Sequence, residues 1–89
     1  MKILKPAKAG TYESNDIYIM IQPNDNGIKI ELESIVMKQF GKRIEEVIKE
    51  TLEKLEVKDA YVVAKDRGAL DYTVSARVET AVKRAGVEK

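Results

Sequence analysis

Cysteine, histidine and tryptophan are all absent from this 89-residue sequence, which also contains only two prolines and one phenylalanine. The lack of cysteine excludes a disulfide framework and a thiol nucleophile, and the lack of both cysteine and histidine excludes the common zinc sites. Catalytic triads that depend on histidine are excluded too. The sequence therefore argues against a self-contained enzyme, and we assign no catalytic and no metal-binding residue.

An excess of either charge is also missing. Sixteen Lys and Arg residues face 15 Asp and Glu residues, a net charge of +1, whereas surfaces that bind nucleic acid carry a clear basic excess. No stretch approaches the roughly 20 apolar residues of a membrane span, and the first apolar run is far shorter than a signal-peptide core of about 7–15 residues. We expect no nucleic-acid partner, no membrane partner and a cytoplasmic location.

The length and the distribution of apolar residues predict one domain over residues 1–89. Residues 1–16 have three lysines around Pro6 and a cluster of turn-forming polar residues, which indicates an N-terminal arm followed by a loop. Residues 17–86 carry the periodic apolar pattern and form the predicted core. Because the loop offers no apolar anchor, we expect it to be mobile and the strand after it to be rigid.

Period-two alternation of apolar residues predicts strands on both sides of the turn signal at residues 23–27, which reads as a β-hairpin. The alternating residues are Ile17, Ile19 and Ile21 in the first strand and Ile28, Ile30 and Leu32 in the second. A short third strand is predicted around Ala60–Ala64. The order of elements, with the helices described next, is β-β-α-β-α.

Helical spacing of apolar residues begins after Ser34, which stands at an N-cap position. The first stripe contains Val36, Phe40, Ile44, Val47, Ile48, Leu52 and Leu55, and the second contains Leu70, Val74, Val78, Ala81, Val82 and Ala85. We predict an α+β two-layer sandwich with a three-stranded antiparallel sheet in the order 2-1-3 and two helices on one face.

The three serines differ in their surroundings. Ser34 is explained as a helix cap, and Ser75 borders an apolar helical stripe. Ser14 lies in the polar loop with neither explanation. An exposed loop serine is accessible to a modifying enzyme, but on composition alone an ordinary solvated serine is the better explanation for such a residue.

The loop belongs to a longer segment that resembles the N-terminal signature of the citrate lyase acyl carrier proteins, the gamma subunits of citrate lyase. That segment is Pro6-Ala7-Lys8-Ala9-Gly10-Thr11-Tyr12-Glu13-Ser14-Asn15-Asp16. Three further segments match in the same order: residues 31–34 running into 36–41, the run Asp66-Arg67-Gly68-Ala69-Leu70-Asp71, and residues 76–78. Lys8, Tyr12 and Tyr72 depart from the usual pattern without touching the serine.

The resemblance implies a non-catalytic carrier. Ser14 would bear, through a phosphodiester, a 2'-(5''-triphosphoribosyl)-3'-dephospho-CoA arm whose thiol carries acetyl and citryl groups. The expected partners are the citrate lyase alpha subunit for acyl exchange, the beta subunit for citryl cleavage to oxaloacetate, and holo-citrate lyase synthase, the phosphoribosyl-dephospho-CoA transferase that modifies the serine. Such a tether makes the second reaction intramolecular.

Two alternatives remain beside this hypothesis: the related carrier subunit of malonate decarboxylase, and an interaction module that carries nothing. Two local interpretations also stay open. Lys2, Lys5 and Lys8 could offset the phosphate charges of the prosthetic group or form a solvated basic segment. Residues 66–71 could be a docking surface or a strand-to-helix turn.

Overall fold

Eight elements follow one another in the computed structural model, which describes residues 2–88; Met1 and Lys89 lie outside the described residues. The strands are β1 (Lys2–Ile3), β2 (Ala7–Gly10), β3 (Ile17–Gln22), β4 (Ile28–Ser34), β5 (Ala60–Asp66) and β6 (Val87–Glu88). The helices are α1 (Met37–Lys54) and α2 (Asp71–Ala85).

The main sheet has four strands in the order β2-β3-β5-β4. Strand β3 is antiparallel to both β2 and β5, while β4 is parallel to β5. Strands β1 and β6 form a separate antiparallel pair near the two ends of the chain. The expectation of an α+β protein is confirmed, but the sheet is mixed and has four strands.

The predicted three-stranded antiparallel sheet in the order 2-1-3 is therefore wrong. Strands β3 and β4 do not form a hairpin, because β5 lies between them: Ala64 faces Ile19 on one side and Leu32 on the other. The connecting loop reaches across the start of β5, where the Gly27 carbonyl accepts from the Ala60 N–H at 3.1 Å. β5 suits the inner position because residues 60–64 are uncharged on both faces, whereas the alternating charges of β4 suit an edge.

The N-terminal arm expected before the loop also takes part in the sheet. β2 pairs with β3, placing Ala9 opposite Ile19, and the Ala9 side chain is buried. Gly10 ends this strand with a φ of +83°, and a Cβ there would collide with the carbonyl oxygen of Ile17. Glycine is thus required where β2 passes closest to the start of β3.

Both helices pack against the sheet face that carries the fully buried residues of β3 and β5. α2 lies over β2 and β3, and α1 contacts β4 and α2. The core-facing side of α1 runs through Gly41 and Ile44, while Phe40 is 55% exposed, contrary to its predicted core position. Phe40 was predicted in the core because it is apolar, but the buried side of the helix contains Gly41 in its place.

The first helix also begins and ends differently from the prediction. Its first helical residue is Met37 and its N-cap residue is Val36, so Ser34 remains in β4 and is not the N-cap. Leu55 follows the last helical residue, and Leu70, the first member of the second stripe, precedes α2 and is 61% exposed. Within residues 2–88, neither helix is long and apolar enough to cross a membrane.

Candidate attachment site

Ser14 occupies a tight turn between β2 and β3 at one end of the sheet. The turn is closed by a hydrogen bond from the Asp16 N–H to the Glu13 carbonyl at 3.1 Å. Asn15 has a φ of 64°, a left-handed conformation that asparagine tolerates better than most residues. Ser14 is exposed at the first central position of this turn.

The Ser14 hydroxyl differs from the other two serine hydroxyls. Ser34 donates to Asp66 Oδ2 at 2.8 Å and accepts from the Val36 N–H at 3.1 Å. Ser75 Oγ accepts from Thr51 Oγ1 at 3.2 Å. Within residues 2–88 no hydrogen bond involves the Ser14 hydroxyl, so it is both exposed and uncommitted.

Asp16 ties the turn to its surroundings through both carboxylate oxygens. Oδ2 accepts from Thr11 Oγ1 at 2.8 Å, and Oδ1 accepts from the Ile17 N–H at 2.7 Å. Arg77 of α2 reaches the same carboxylate with two donors, Nε at 3.0 Å and Nη2 at 2.9 Å. This bidentate pair connects the turn directly to the second helix.

These contacts hold the pKa of the Asp16 carboxyl at about 2, below its usual 3.8. The hydrogen bond from Arg77 is the main cause, and the bonds from Ile17 and Thr11 act in the same direction. Partial burial acts in the opposite direction and raises the pKa, but the hydrogen bonds outweigh it. Asp16 is therefore a carboxylate at neutral pH and a charged anchor for the turn.

A second connection joins the turn to the segment after β5. The Asn15 N–H donates to the Arg67 carbonyl at 2.8 Å, and the Arg67 N–H donates to the Asp16 carbonyl at 2.9 Å. The Arg67 guanidinium lies 5.5 Å from the centre of the Tyr12 ring and donates to the Tyr12 carbonyl at 3.4 Å. Arg67 therefore flanks the Ser14 turn with its backbone and with its side chain.

Asp66, immediately before Arg67, is fully buried and organises this end of the sheet. Its carboxylate accepts from Ser34 Oγ, from the Gly68 N–H at 2.9 Å and from the Ala69 N–H at 3.0 Å. The donors belong to β4 and to the loop before α2. Buried carboxylates require such partners. Asp66 thereby fixes the loop before α2, and Arg67 of that loop holds the Ser14 turn.

The residues from Asp66 to Asp71 form a strand-to-helix turn, as one of the two interpretations expected. Beside it lies a groove of about 530 Å³ whose walls include Phe40, Ile44 and Leu70. Several large apolar side chains near this end are exposed, namely Ile35, Met37, Phe40, Leu70 and Tyr72. The docking role of residues 66–71 stays a prediction.

Lys2 and Lys8, two of the three lysines considered as partners for the phosphates of the prosthetic group, do not lie beside Ser14. The Lys2 backbone forms an isolated parallel β-bridge with Asp59. Asp59 precedes β5 and so lies at the far end of the sheet from Asp66. Lys8 lies within β2 opposite Met20, two residues before Gly10. Two arginines lie beside the turn instead: Arg77, which is paired with Asp16, and Arg67. The sequence signalled both only as members of the matching segments 76–78 and 66–71.

In the described part of the chain, no acidic side chain is hydrogen-bonded to the Ser14 hydroxyl. Among residues 2–88 there is no group of three or more acidic side chains arranged to hold a metal ion. The Asp16 carboxylate is occupied by Thr11, Ile17 and Arg77 rather than directed at Ser14. The arrangement presents an exposed hydroxyl on a turn that is hydrogen-bonded to its surroundings.

Comparison with known proteins assigns the chain to a family. The family model described as malonate decarboxylase delta subunit, of the acyl carrier protein type, matches residues 4–85. The chain is 54% identical to the citrate lyase acyl carrier protein of Halothermothrix orenii over 85 residues, covering 96% of this chain and 90% of the relative. Its identity to the Vibrio cholerae protein of the same name is 50% over 86 residues, covering 96% and 88%.

A solved structure shares the fold at low sequence identity. A chain of the Pseudomonas malonate decarboxylase hetero-tetramer, crystallised with malonate, superposes with a TM-score of 0.82 at 18% identity, covering 97% of this chain and 89% of the other. Fold and family model together define an acyl carrier protein that is not built as a helical bundle. Within that class, the sequence identities show that the chain belongs to the citrate lyase acyl carrier protein family.

Proposed function

We propose that Ser14 is the residue through which this carrier protein bears its prosthetic group. Acyl carrier proteins of this family imply a covalently attached group. The observation that supports Ser14 is its hydroxyl, the one among the three serines in residues 2–88 that is exposed and without a hydrogen bond. It also lies in the segment whose residues match the family signature.

The residues around Ser14 fit an anionic group such as 2'-(5''-triphosphoribosyl)-3'-dephospho-CoA. The hydroxyl stands at the outer side of a turn, where a bulky substituent meets no wall of the fold. The neighbouring Arg67 adds a positive charge, while the negative charge of Asp16 is paired with Arg77. When bound, the group supplies the thiol that this cysteine-free chain lacks.

In this function the chain attaches and presents the arm and leaves the bond-making steps to other subunits. The proposed partners are the citrate lyase alpha subunit, which exchanges acetyl for citryl, and the beta subunit, which releases oxaloacetate. Holo-citrate lyase synthase is the proposed modifying enzyme. A cytoplasmic location remains a prediction.

The malonate decarboxylase carrier is the nearest competing function, because the structural neighbour comes from that complex. The identities of about 50% to citrate lyase carriers favour the citrate lyase role. Reconstitution with each set of catalytic subunits separates the two. Restored citrate cleavage supports our proposal, and restored malonate decarboxylation without citrate cleavage overturns it.

The attachment residue is tested by Ser14→Ala in protein produced together with its modifying enzymes. We expect the mass of the added group to disappear and citrate cleavage by the reconstituted complex to be lost. Ser75→Ala is the matched control, since it also removes a serine hydroxyl and should leave the added mass intact. Full modification of the Ser14→Ala protein would contradict the assignment, and an unmodified native chain would favour the non-carrier interaction module.

A further inference from the structure

The four arginines divide into two kinds according to what their guanidinium groups bind. Arg43 pairs with Asp71 at 2.9 Å, and Arg77 pairs with Asp16 at 2.9 Å. Arg67 and Arg84 donate to backbone carbonyls, those of Tyr12 and Lys8. Among the side chains that the structure describes, those of residues 2–87, no carboxylate forms an ion pair with Arg67.

Arg67 and Arg84 stand at different distances from the Ser14 turn. Arg67 flanks the turn, hydrogen-bonded to the residues immediately after the serine. Arg84 lies in the last turn of α2, seven residues beyond Arg77, which binds Asp16, and so about 10 Å further along the helix axis. Only Arg67 is placed to meet a substituent on Ser14.

The Arg67 side chain is also oriented before any ligand arrives. The Tyr12 ring lies 5.5 Å from its guanidinium carbon, and one of its nitrogens donates to the Tyr12 carbonyl. Five N–H groups form the donor set of a guanidinium, so most of its donors remain available. A fixed guanidinium with spare donors suits an oxyanion, which can accept two parallel hydrogen bonds.

From these contacts we infer that Arg67 is the anion-binding residue of the attachment site, holding the phosphodiester formed on Ser14. This inference rests on the proposed attachment at Ser14. Arg67 then performs two tasks: it offsets the negative charge that modification brings to the turn, and it directs the first atoms of the arm. Asp16 and Asp66 are occupied by other donors and leave this guanidinium to the incoming phosphate.

NMR of the arginine side chains tests the contact without measuring activity. We compare Nε–Hε signals in the unmodified protein and in protein whose added mass has been verified. The Arg67 signal should shift and exchange more slowly with solvent after modification, and the Arg84 signal should stay unchanged. An unchanged Arg67 signal in fully modified protein overturns the inference while leaving the attachment at Ser14 intact. A missing mass would instead count against the proposed function.

The modification rate gives a second measurement. Arg67→Gln should lower kcat/KM for holo-citrate lyase synthase about tenfold, the loss expected for one charge-assisted hydrogen bond. Arg84→Gln should leave the rate unchanged, and Arg67→Lys should restore part of it. The rate of the native protein should fall with added salt more steeply than that of Arg67→Gln. Equal salt dependence in the two proteins would indicate a purely structural role and overturn the inference.

Discussion

The turn at residues 13–16 and strand β3 are consecutive in the chain, yet they are held in place by different interactions. Ile17, Ile19 and Ile21 are completely buried under the helices. The turn before them buries no large apolar side chain and depends on Asp16 and on two backbone hydrogen bonds to Arg67. The strand supplies stability, whereas the turn fixes the position of one hydroxyl.

The comparison matters because the two kinds of contact differ in magnitude. Full burial of an isoleucine side chain contributes about 1.5–3 kcal/mol, whereas a typical hydrogen bond adds about 0.5–1.5 kcal/mol net. Polar contacts can therefore be lost from the turn with little danger to the fold. A carrier can tolerate local change at the proposed attachment site while the sheet remains intact.

The largest expected effect is that of Ile19→Ala. This change leaves a cavity beneath the sheet and should lower the free energy of unfolding by about 2–5 kcal/mol, as other buried Ile-to-Ala changes do. Met20→Ala, on the half-buried opposite face of the same strand, is the matched control and should cost clearly less. Urea unfolding measures both. Equal losses would mean that the two faces of β3 contribute alike, against the burial pattern.

A smaller effect is expected from Asp16→Asn, which removes the charge from the anchor of the turn. Because the folded pKa of Asp16 is about 2 against an ordinary 3.8, its charge stabilises the fold above about pH 4 and ceases to do so as the pH falls toward 2. Arg77 is 40% exposed, so solvent screening limits the contribution to about 1–2 kcal/mol.

Urea unfolding of both proteins between pH 2 and pH 7 checks this. The difference in unfolding free energy should be constant above about pH 5 and shrink as the pH approaches 2. Asp71→Asn is the control, since its ion pair with Arg43 is more exposed on both sides and should be worth about 0–1 kcal/mol. A difference that persists unchanged at pH 2 would show that the Asp16 charge is not responsible.

Strands β3, β4 and β5 and both helices could be predicted because their signals are local, whereas the short strands β1, β2 and β6 were not predicted. Alternating isoleucines marked β3, and the position of its buried face followed from the same pattern. The sheet order could not be predicted in this way, because the insertion of β5 between β3 and β4 depends on pairs of residues far apart in the chain, such as Ile19 and Ala64, which are 45 positions apart. A turn signal at residues 23–27 is compatible with both arrangements.

The candidate site was only partly accessible to sequence reasoning. Ser14 came from the family resemblance together with the absence of a structural explanation for it. The partners that hold the turn are distant in sequence: Asp16 and Arg77 are 61 residues apart, and Ser34 and Asp66 are 32 apart. Nothing local in the sequence specifies such pairs, so neither was predicted.

The last prediction concerns the backbone mobility of the turn. It involves the smallest effect on stability but bears most directly on how the carrier works. The expectation of a mobile loop rested on the absence of apolar anchors, but Asn15 and Asp16 both donate backbone hydrogen bonds, at 2.8 Å and 3.1 Å. We now expect amide order parameters near about 0.85 at these two residues, equal to those of β3 and above the range of about 0.6 that marks a flexible backbone.

Asp16→Asn provides the contrast, because weakening the anchor should lower the order parameters of the turn while those of Ile19 and Ile21 stay unchanged. If the native turn already shows low values, its hydrogen bonds open in solution and the loop itself adds reach to the arm. If the values are high, Ser14 is a fixed platform. All the distance between the active sites must then be covered by the prosthetic arm and by movement of the whole carrier, since the turn contributes position and not length.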